Sequence, residues 1–188
     1  VSPAPDPTNA APDAPDAPGA GPEASGDGLE AELRELAGAV PDPELPVLSL
    51  AELGVLRTVR LTAADEVHVE LTPTYTGCPA VETMAADIEQ VLHARGIGRV
   101  TVRRVLAPAW TTDDITTEGR RKLAEAGIAP PRPSRPAEGP VPLELSVRCP
   151  QCGSTDTALL SRFSSTACKA LRRCEFCREP FDHFKELS

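Results

Sequence analysis

Residues 71–80 read Leu-Thr-Pro-Thr-Tyr-Thr-Gly-Cys-Pro-Ala. The stretch joins an alternating strand pattern to an amphipathic helical one. Proline is favoured at the first helical position, where its missing N–H is not needed, so Pro79 makes Cys78 the expected helix N-cap. A thiol there sits at the positive end of the helix dipole, which favours the thiolate. The competing reading is an ordinary helix start with a buried core cysteine.

Working outward, Glu66 to Thr72 alternates Val67, Val69 and Leu71 against Glu66, His68 and Glu70, the period of a half-buried strand. Val55 to Leu61 alternates in the same way, and the short link between them predicts an antiparallel hairpin. Pro79 to Ala94 carries Val81, Met84, Ala85, Ile88, Val91 and Leu92 on one helical face. A third strand is expected over Arg99–Leu106. A last helix is expected from a cap at Thr112 or Asp113 to Ala126. Upstream, Leu29, Leu33, Leu36 and Val40 give a first helix, stopped by Pro41. Ser49 and Glu52 have capping-box spacing for one turn ending at Gly54. The order α-β-β-α-β-α predicts an α+β fold, a three-stranded sheet covered by helices.

The flanks differ. Residues 1–28 are almost all Pro, Ala, Gly, Asp and Ser, and hold five of the chain's acids. Such a segment cannot bury enough apolar surface to order itself, so a disordered acidic tail is expected. It carries −5 of the formal −9 and leaves −4 for the rest. Residues 128–142 are proline-rich and read as a semi-stiff linker. Residues 143–188 hold all four phenylalanines and two Cys-x-x-Cys pairs. The domain reading is therefore a tail over 1–28, an α/β domain over 29–127, a linker over 128–142 and a β-rich ribbon over 143–188.

Cys149, Cys152, Cys174 and Cys177 form the strongest motif. Two thiolates on each of two tight turns complete a tetrahedral sulfur cage suited to structural zinc. A rubredoxin-like iron site or an Fe–S cluster fits the same ligands. Cys168 is an alternate ligand or a free thiol, and His183 reads as a surface strand residue.

Residues 141–188 hold seven Lys/Arg and six Asp/Glu, a near balance that argues against nucleic-acid binding. No apolar run has membrane-spanning length, no secretory signal pattern is present, and cysteines in metal-like pairs suit a reducing compartment. A cytoplasmic protein is expected.

Hydrolytic chemistry at Cys78 would need a nearby base. His68 falls on the polar strand face, and His93 lies about 20 Å along the helix at 1.5 Å per residue. A thiolate ligand or thiol carrier remains. Clusters usually take four ligands, so Cys78 would share one with a second subunit or a client. Thr72, Thr74 and Thr76 can present hydroxyls to its sulfur or satisfy loop backbone. Asp42 and Glu44, between prolines, supply oxygen ligands or build an Asx-type turn.

Pro41-Asp42-Pro43-Glu44-Leu45-Pro46, Ser49-Leu-Ala-Glu-Leu-Gly54 and the stretch ending in Cys78-Pro79 together resemble the SufT-like metal–sulfur cluster assembly domain. Trp110-Thr-Thr-Asp-Asp-Ile, Glu118-Gly-Arg-Arg-Lys-Leu123, Gly127-Ile-Ala-Pro-Pro131 and the cysteine-bearing end resemble a narrower group. This is the D-subunit family of bacterial phenylacetyl-CoA epoxidases, called PaaD or PaaJ. The resemblance implies an accessory subunit, not a catalyst. Its role would be Fe–S or iron-centre assembly through Cys78, supported by Thr72, Thr74, Thr76, Asp42 and Glu44. It implies structural zinc in the ribbon, and a reductase or di-iron oxygenase subunit as partner. A homodimer is left open, as is a purely structural or regulatory subunit. The absence of a Glu-x-x-His pair argues against a di-iron site in this chain.

Overall fold

The computed structural model describes residues 24–132 and 146–186. Most of the expected tail and most of the expected linker lie outside them. The first sheet has the order β1-β2-β3. Strands β1 (Leu56–Ala63) and β2 (Glu66–Leu71) form the expected antiparallel hairpin. β3 (Arg99–Arg104) joins β2 in parallel after the crossover helix α3 (Ala80–Ala94). Helix α1 (Ala24–Ala39) packs beside α3, burying Leu33 and Ala37. It begins inside the segment assigned to the tail.

The alternation in β2 sets the layers. Val67, Val69 and Leu71 are buried beneath the helices, whereas Glu66, His68 and Glu70 stay half-exposed on the opposite face. Short helix α2 (Leu50–Leu53) has its capping box: Glu52 N–H donates to Ser49 Oγ and Ser49 N–H to the Glu52 carboxylate. Gly54 closes it at φ +76°, where a Cβ would collide with the Asp114 carbonyl. Glycine alone meets both demands.

The expected last helix is in two pieces. Thr112–Asp114 is a 3-10 turn, and α4 spans Thr117–Glu125. Between them Ile115 and Thr116 are extended, and the Thr116 hydroxyl accepts the Gly119 N–H. A side chain that satisfies a free helix-start N–H makes a new N-cap there.

The ribbon sheet has the order β4-β7-β6-β5, from β4 (Ile128–Ala129), β5 (Thr157–Ser161), β6 (Lys169–Cys174) and β7 (Pro180–Phe184). The first residues assigned to the linker are thus a strand, paired in parallel with β7. Phe184 is fully buried in the same apolar cluster as Leu53, Leu71 and Met84 of the first domain. Its ring lies 6.1 Å from that of Trp110, whose indole N–H donates to the Leu53 carbonyl. The ribbon therefore shares a core with the α/β domain.

Candidate functional site: a sulfur cage and a second thiol pair

Four sulfurs converge in the ribbon. Cys149 Sγ lies 3.8 Å from Cys177 Sγ and Cys152 Sγ 3.6 Å from Cys174 Sγ. All four fall within 4.8 Å of one another. A tetrahedron with metal–sulfur bonds of about 2.3 Å has edges of about 3.8 Å, so the donor set fits zinc without rearrangement. Two equivalent turns build it. Gly153 N–H donates to the Cys149 carbonyl at φ +76°, and Arg178 N–H donates to the Cys174 carbonyl at φ +67°. N–H groups, that of Cys177 foremost, pull the Cys174 thiol down to about 7. Four sulfurs this close cannot all be thiolates without a cation among them.

Cys168 stands outside this cage. It immediately precedes β6, whereas Cys174 ends that strand. Six residues of strand at 3.3 Å each separate them by about 20 Å. Cys168 is buried in the core shared with the first domain, and Thr166 Oγ1 lies 3.1 Å from its sulfur. His183 is half-buried, not a surface residue; burial, then Arg172 and Arg132, press its pKa to about 4.

At the start of α3 the helix is drawn from Ala80, one residue later than expected. Pro79 nevertheless has helical dihedrals, φ −71° and ψ −19°. No side-chain bond caps the helix, but the Ala80 N–H at its start acts toward the Cys78 thiolate. The expected thiolate is not favoured. Burial raises the Cys78 pKa, and Glu44 and Asp42 add to it, against the N–H of Ala80 and the hydroxyl of Thr74. The helix start is present, but desolvation outweighs it.

The neighbours sort themselves. Thr74 is buried, and its hydroxyl acts to lower the Cys78 pKa. Thr72 is buried, and its Oγ1 has no hydrogen-bond partner. Thr76 is exposed. All three line a cavity of about 250 Å³ with Tyr75 and Trp110. A second cavity of about 550 Å³ opens beside Cys78, lined also by Pro79, Glu82, Val102 and Arg104. Asp42 builds the turn: its Oδ1 accepts the N–H groups of Glu44 at 2.9 Å and Leu45 at 2.7 Å. Glu44 is half-buried, and burial and Asp42 raise its pKa while Lys169 lowers it.

Of the two readings of Cys168, replacement ligand or free thiol, the structure has the free thiol, buried. Glu44 and Asp42, which act on Cys78, also raise the Cys168 thiol after burial has done so. Tyr75 is raised first by burial, then by Cys78, Glu44 and Cys168. Tyr75 and Lys169 were not singled out from the sequence. The expected bases are elsewhere. His68 Nε2 lies 3.4 Å from Glu66, on the outer face. His93 Nδ1 lies 2.7 Å from the Ile97 carbonyl, at the far end of α3.

Comparison with known proteins agrees with both halves. The family described as iron-sulfur cluster assembly protein matches residues 30–103. The PaaD zinc beta ribbon domain matches residues 133–185. The D subunit of the "Putative 1,2-phenylacetyl-CoA epoxidase" of Escherichia coli (strain K12) is 46% identical over 154 residues, covering 82% of this chain and 91% of that protein. An Fe-S protein maturation auxiliary factor of Porphyromonas gingivalis (strain ATCC BAA-308 / W83) is 28% identical over 95 residues, covering 50% of this chain and 90% of its own length. The crystal structure of a DUF59 domain from Bacillus anthracis is similar with a TM-score of 0.49 and 25% identity, over 53% of this chain and 94% of that one. With an assembly-type domain, a four-cysteine ribbon and a relative matched over nearly its whole length, the chain belongs to the PaaD family of phenylacetyl-CoA epoxidase D subunits.

Proposed function

We propose that this protein is a non-catalytic accessory subunit of a phenylacetyl-CoA epoxidase that assists assembly of the complex's Fe–S or iron centre. Cys78 acts as a transient ligand of the cargo. The α/β domain (29–127) carries the transfer site, and the ribbon (143–188), closed by zinc, is structural. The reductase or the di-iron oxygenase subunit is the client.

One observation carries the reading. Cys78 sits at a helix start beside a cavity, with a buried, unpartnered Thr72 hydroxyl in the same loop. His68 and His93, the bases considered for it, are bonded elsewhere. A thiol without a base is a poor hydrolytic nucleophile but a serviceable soft-metal ligand. The similarity to an Fe-S protein maturation auxiliary factor points the same way.

The test is co-expression of the epoxidase subunits with wild-type chain or with Cys78→Ser. The variant is expected to lower both epoxidase activity and iron per complex. Full activity with full iron would refute the transfer role.

A second reading is a structural or regulatory subunit that docks on the oxygenase without moving metal. Four large apolar ribbon side chains, Leu159, Leu160, Phe163 and Phe176, are exposed and favour it, since aromatic side chains are enriched at protein interfaces. It predicts a stoichiometric complex whose activity survives Cys78→Ser.

A further inference from the structure

The seam between the two halves holds a cavity of about 560 Å³ that the Cys78 site does not use. On one side it is lined by α4 and the chain after it, with Arg120, Pro130 and Arg132. On the other it is lined by the ribbon, with Val147, Arg148 and Glu186. A cavity of about 240 Å³ adjoins it, since Arg132, Val147, His183 and Glu186 line both. Arg172 and Lys185 line only the smaller one. Five cations thus surround the pair of cavities against one carboxylate, Glu186, in a chain whose formal charge is −9. Among the described residues no carboxylate pairs with Arg148, Arg172 or Lys185. Arg148 donates to the Gly153 carbonyl at 2.8 Å, and Arg172 to the Thr157 hydroxyl and carbonyl. The Lys185 ammonium lies 4.6 Å from the Phe163 ring centre. Arg120 donates to the carbonyls of Pro131 and Thr112. Neutral acceptors fix a guanidinium in place without cancelling its charge, and leave part of its five-donor fork open. His183, where the cavities join, feels the result: burial first, then Arg172 and Arg132, press its pKa to about 4.

The zinc cage is the rival counter-charge. Cys149 lines the larger cavity, and four thiolates around one zinc ion keep a formal surplus of two negative charges. With Glu186 that offsets three of the five cations and leaves two unmatched. We propose that this cleft binds a nucleoside diphosphate, its phosphates held among Arg148, Arg172 and Lys185 and its base against Pro130, Pro131 and Val147. A cleft of one charge sign between low-dielectric walls concentrates anions. Guanidinium forks match phosphate oxygens two at a time. The larger volume falls within the range of about 300–1,000 Å³ typical of small-molecule sites, and its proline and valine surfaces suit the face of a ring. The inference goes beyond the assembly reading and does not rest on it. The same chemistry occurs in a free nucleotide and in an acyl-CoA, because coenzyme A carries adenosine diphosphate on a thiol-bearing arm.

The test is calorimetric titration of the full, zinc-filled chain with ADP, coenzyme A and inorganic phosphate, for wild type, Arg148→Gln and Lys185→Gln. Neither substituted side chain takes part in a sheet hydrogen bond, and zinc content with circular dichroism confirms that each variant folds. ADP is expected to bind wild type and to bind each variant about tenfold more weakly, the scale of one charge-assisted contact. Binding should also weaken as salt is added, since the cations sit near solvent. Tighter binding of coenzyme A than of ADP assigns the cleft to an acyl-CoA; binding no tighter assigns it to a nucleotide. Failure of wild type to bind either one overturns the proposal, as does an affinity that either variant leaves unchanged. Inorganic phosphate bound as tightly as ADP also overturns it, because the base would then find no place against the apolar walls.

Discussion

The molecule holds two groups of cysteines that its fold treats in opposite ways. In the ribbon, four sulfurs converge across paired turns, two pairs of them 3.6 and 3.8 Å apart, and backbone N–H groups lower the pKa of Cys174 to about 7. In the shared core, Cys78 and Cys168 are buried beside carboxylates, and both thiols are raised. The first arrangement demands a cation and closes on it. The second tolerates its own emptiness, because neutral thiols are at ease in an apolar setting. The contrast is between sulfurs gathered for a metal and thiols packed as part of a core.

The largest effect should come from breaking the cage. Metal binding supplies on the order of 10 kcal/mol to small zinc modules. Chelation of zinc, or Cys174→Ser, is expected to unfold the ribbon. Because β4, β7 and Phe184 tie the ribbon to the first domain, thermal unfolding should lose its single transition at a much lower temperature. Persistence of an unchanged transition after zinc removal, followed by circular dichroism, would show that the cage is not what holds the ribbon.

Next is the seam between the halves. Phe184→Ala removes a fully buried ring that packs against Trp110. Such truncations cost about 3–5 kcal/mol, read as a shift of the urea midpoint. The comparison sharpens if the variant keeps one zinc per chain while Cys168, buried in the shared core, opens to alkylation. That outcome separates the two sulfur groups physically, whereas joint loss would make them one cooperative unit.

Much of this was legible in residues alone. The hairpin, α3 and the capping box at Ser49 follow from short-range periodicity and side-chain chemistry, and the cage follows from spacing. What escaped was decided by contacts distant in sequence or by backbone geometry. Thr116 cut a helix in two because its hydroxyl found the Gly119 N–H. Between the two readings of Cys168 the fold decides for the free thiol, because the six residues to Cys174 run as an extended strand of about 20 Å. The Cys78 thiol is expected low from its helix start, and the burial that raises it comes from a core to which the ribbon contributes. Asp42 was open between ligand and turn, and its two accepted N–H groups show the turn.

A smaller effect tests the raised thiols through pH. Burial and the nearby carboxylates place both pKa values above the ordinary thiol value, about 8.5 in the unfolded chain. As pH rises past that value the unfolded chain loses these protons first, so the neutral thiols' contribution to stability is full below it. That contribution fades as pH climbs toward the folded values. Alkylation of Cys78 and Cys168 in the zinc-filled chain, followed site by site with mass spectrometry, should be slow at neutral pH. It should accelerate only above the ordinary thiol range. Rapid labelling of Cys78 near neutral pH would mean that the helix start, not burial, governs it.

The finest test asks whether the two thiols truly share one environment. Glu44 raises both of them, and its own charge is moderated by Lys169, which is itself paired with Asp182 at 3.3 Å. Glu44→Gln removes the charge and keeps the shape. Both alkylation midpoints are then expected to fall together, while the zinc cage, far along β6, keeps its metal. A shift confined to Cys78 would place Cys168 in a separate pocket and reduce the pair to two unrelated core cysteines. A joint shift would show one carboxylate acting on thiols from both halves of the chain, as burial in a shared core allows.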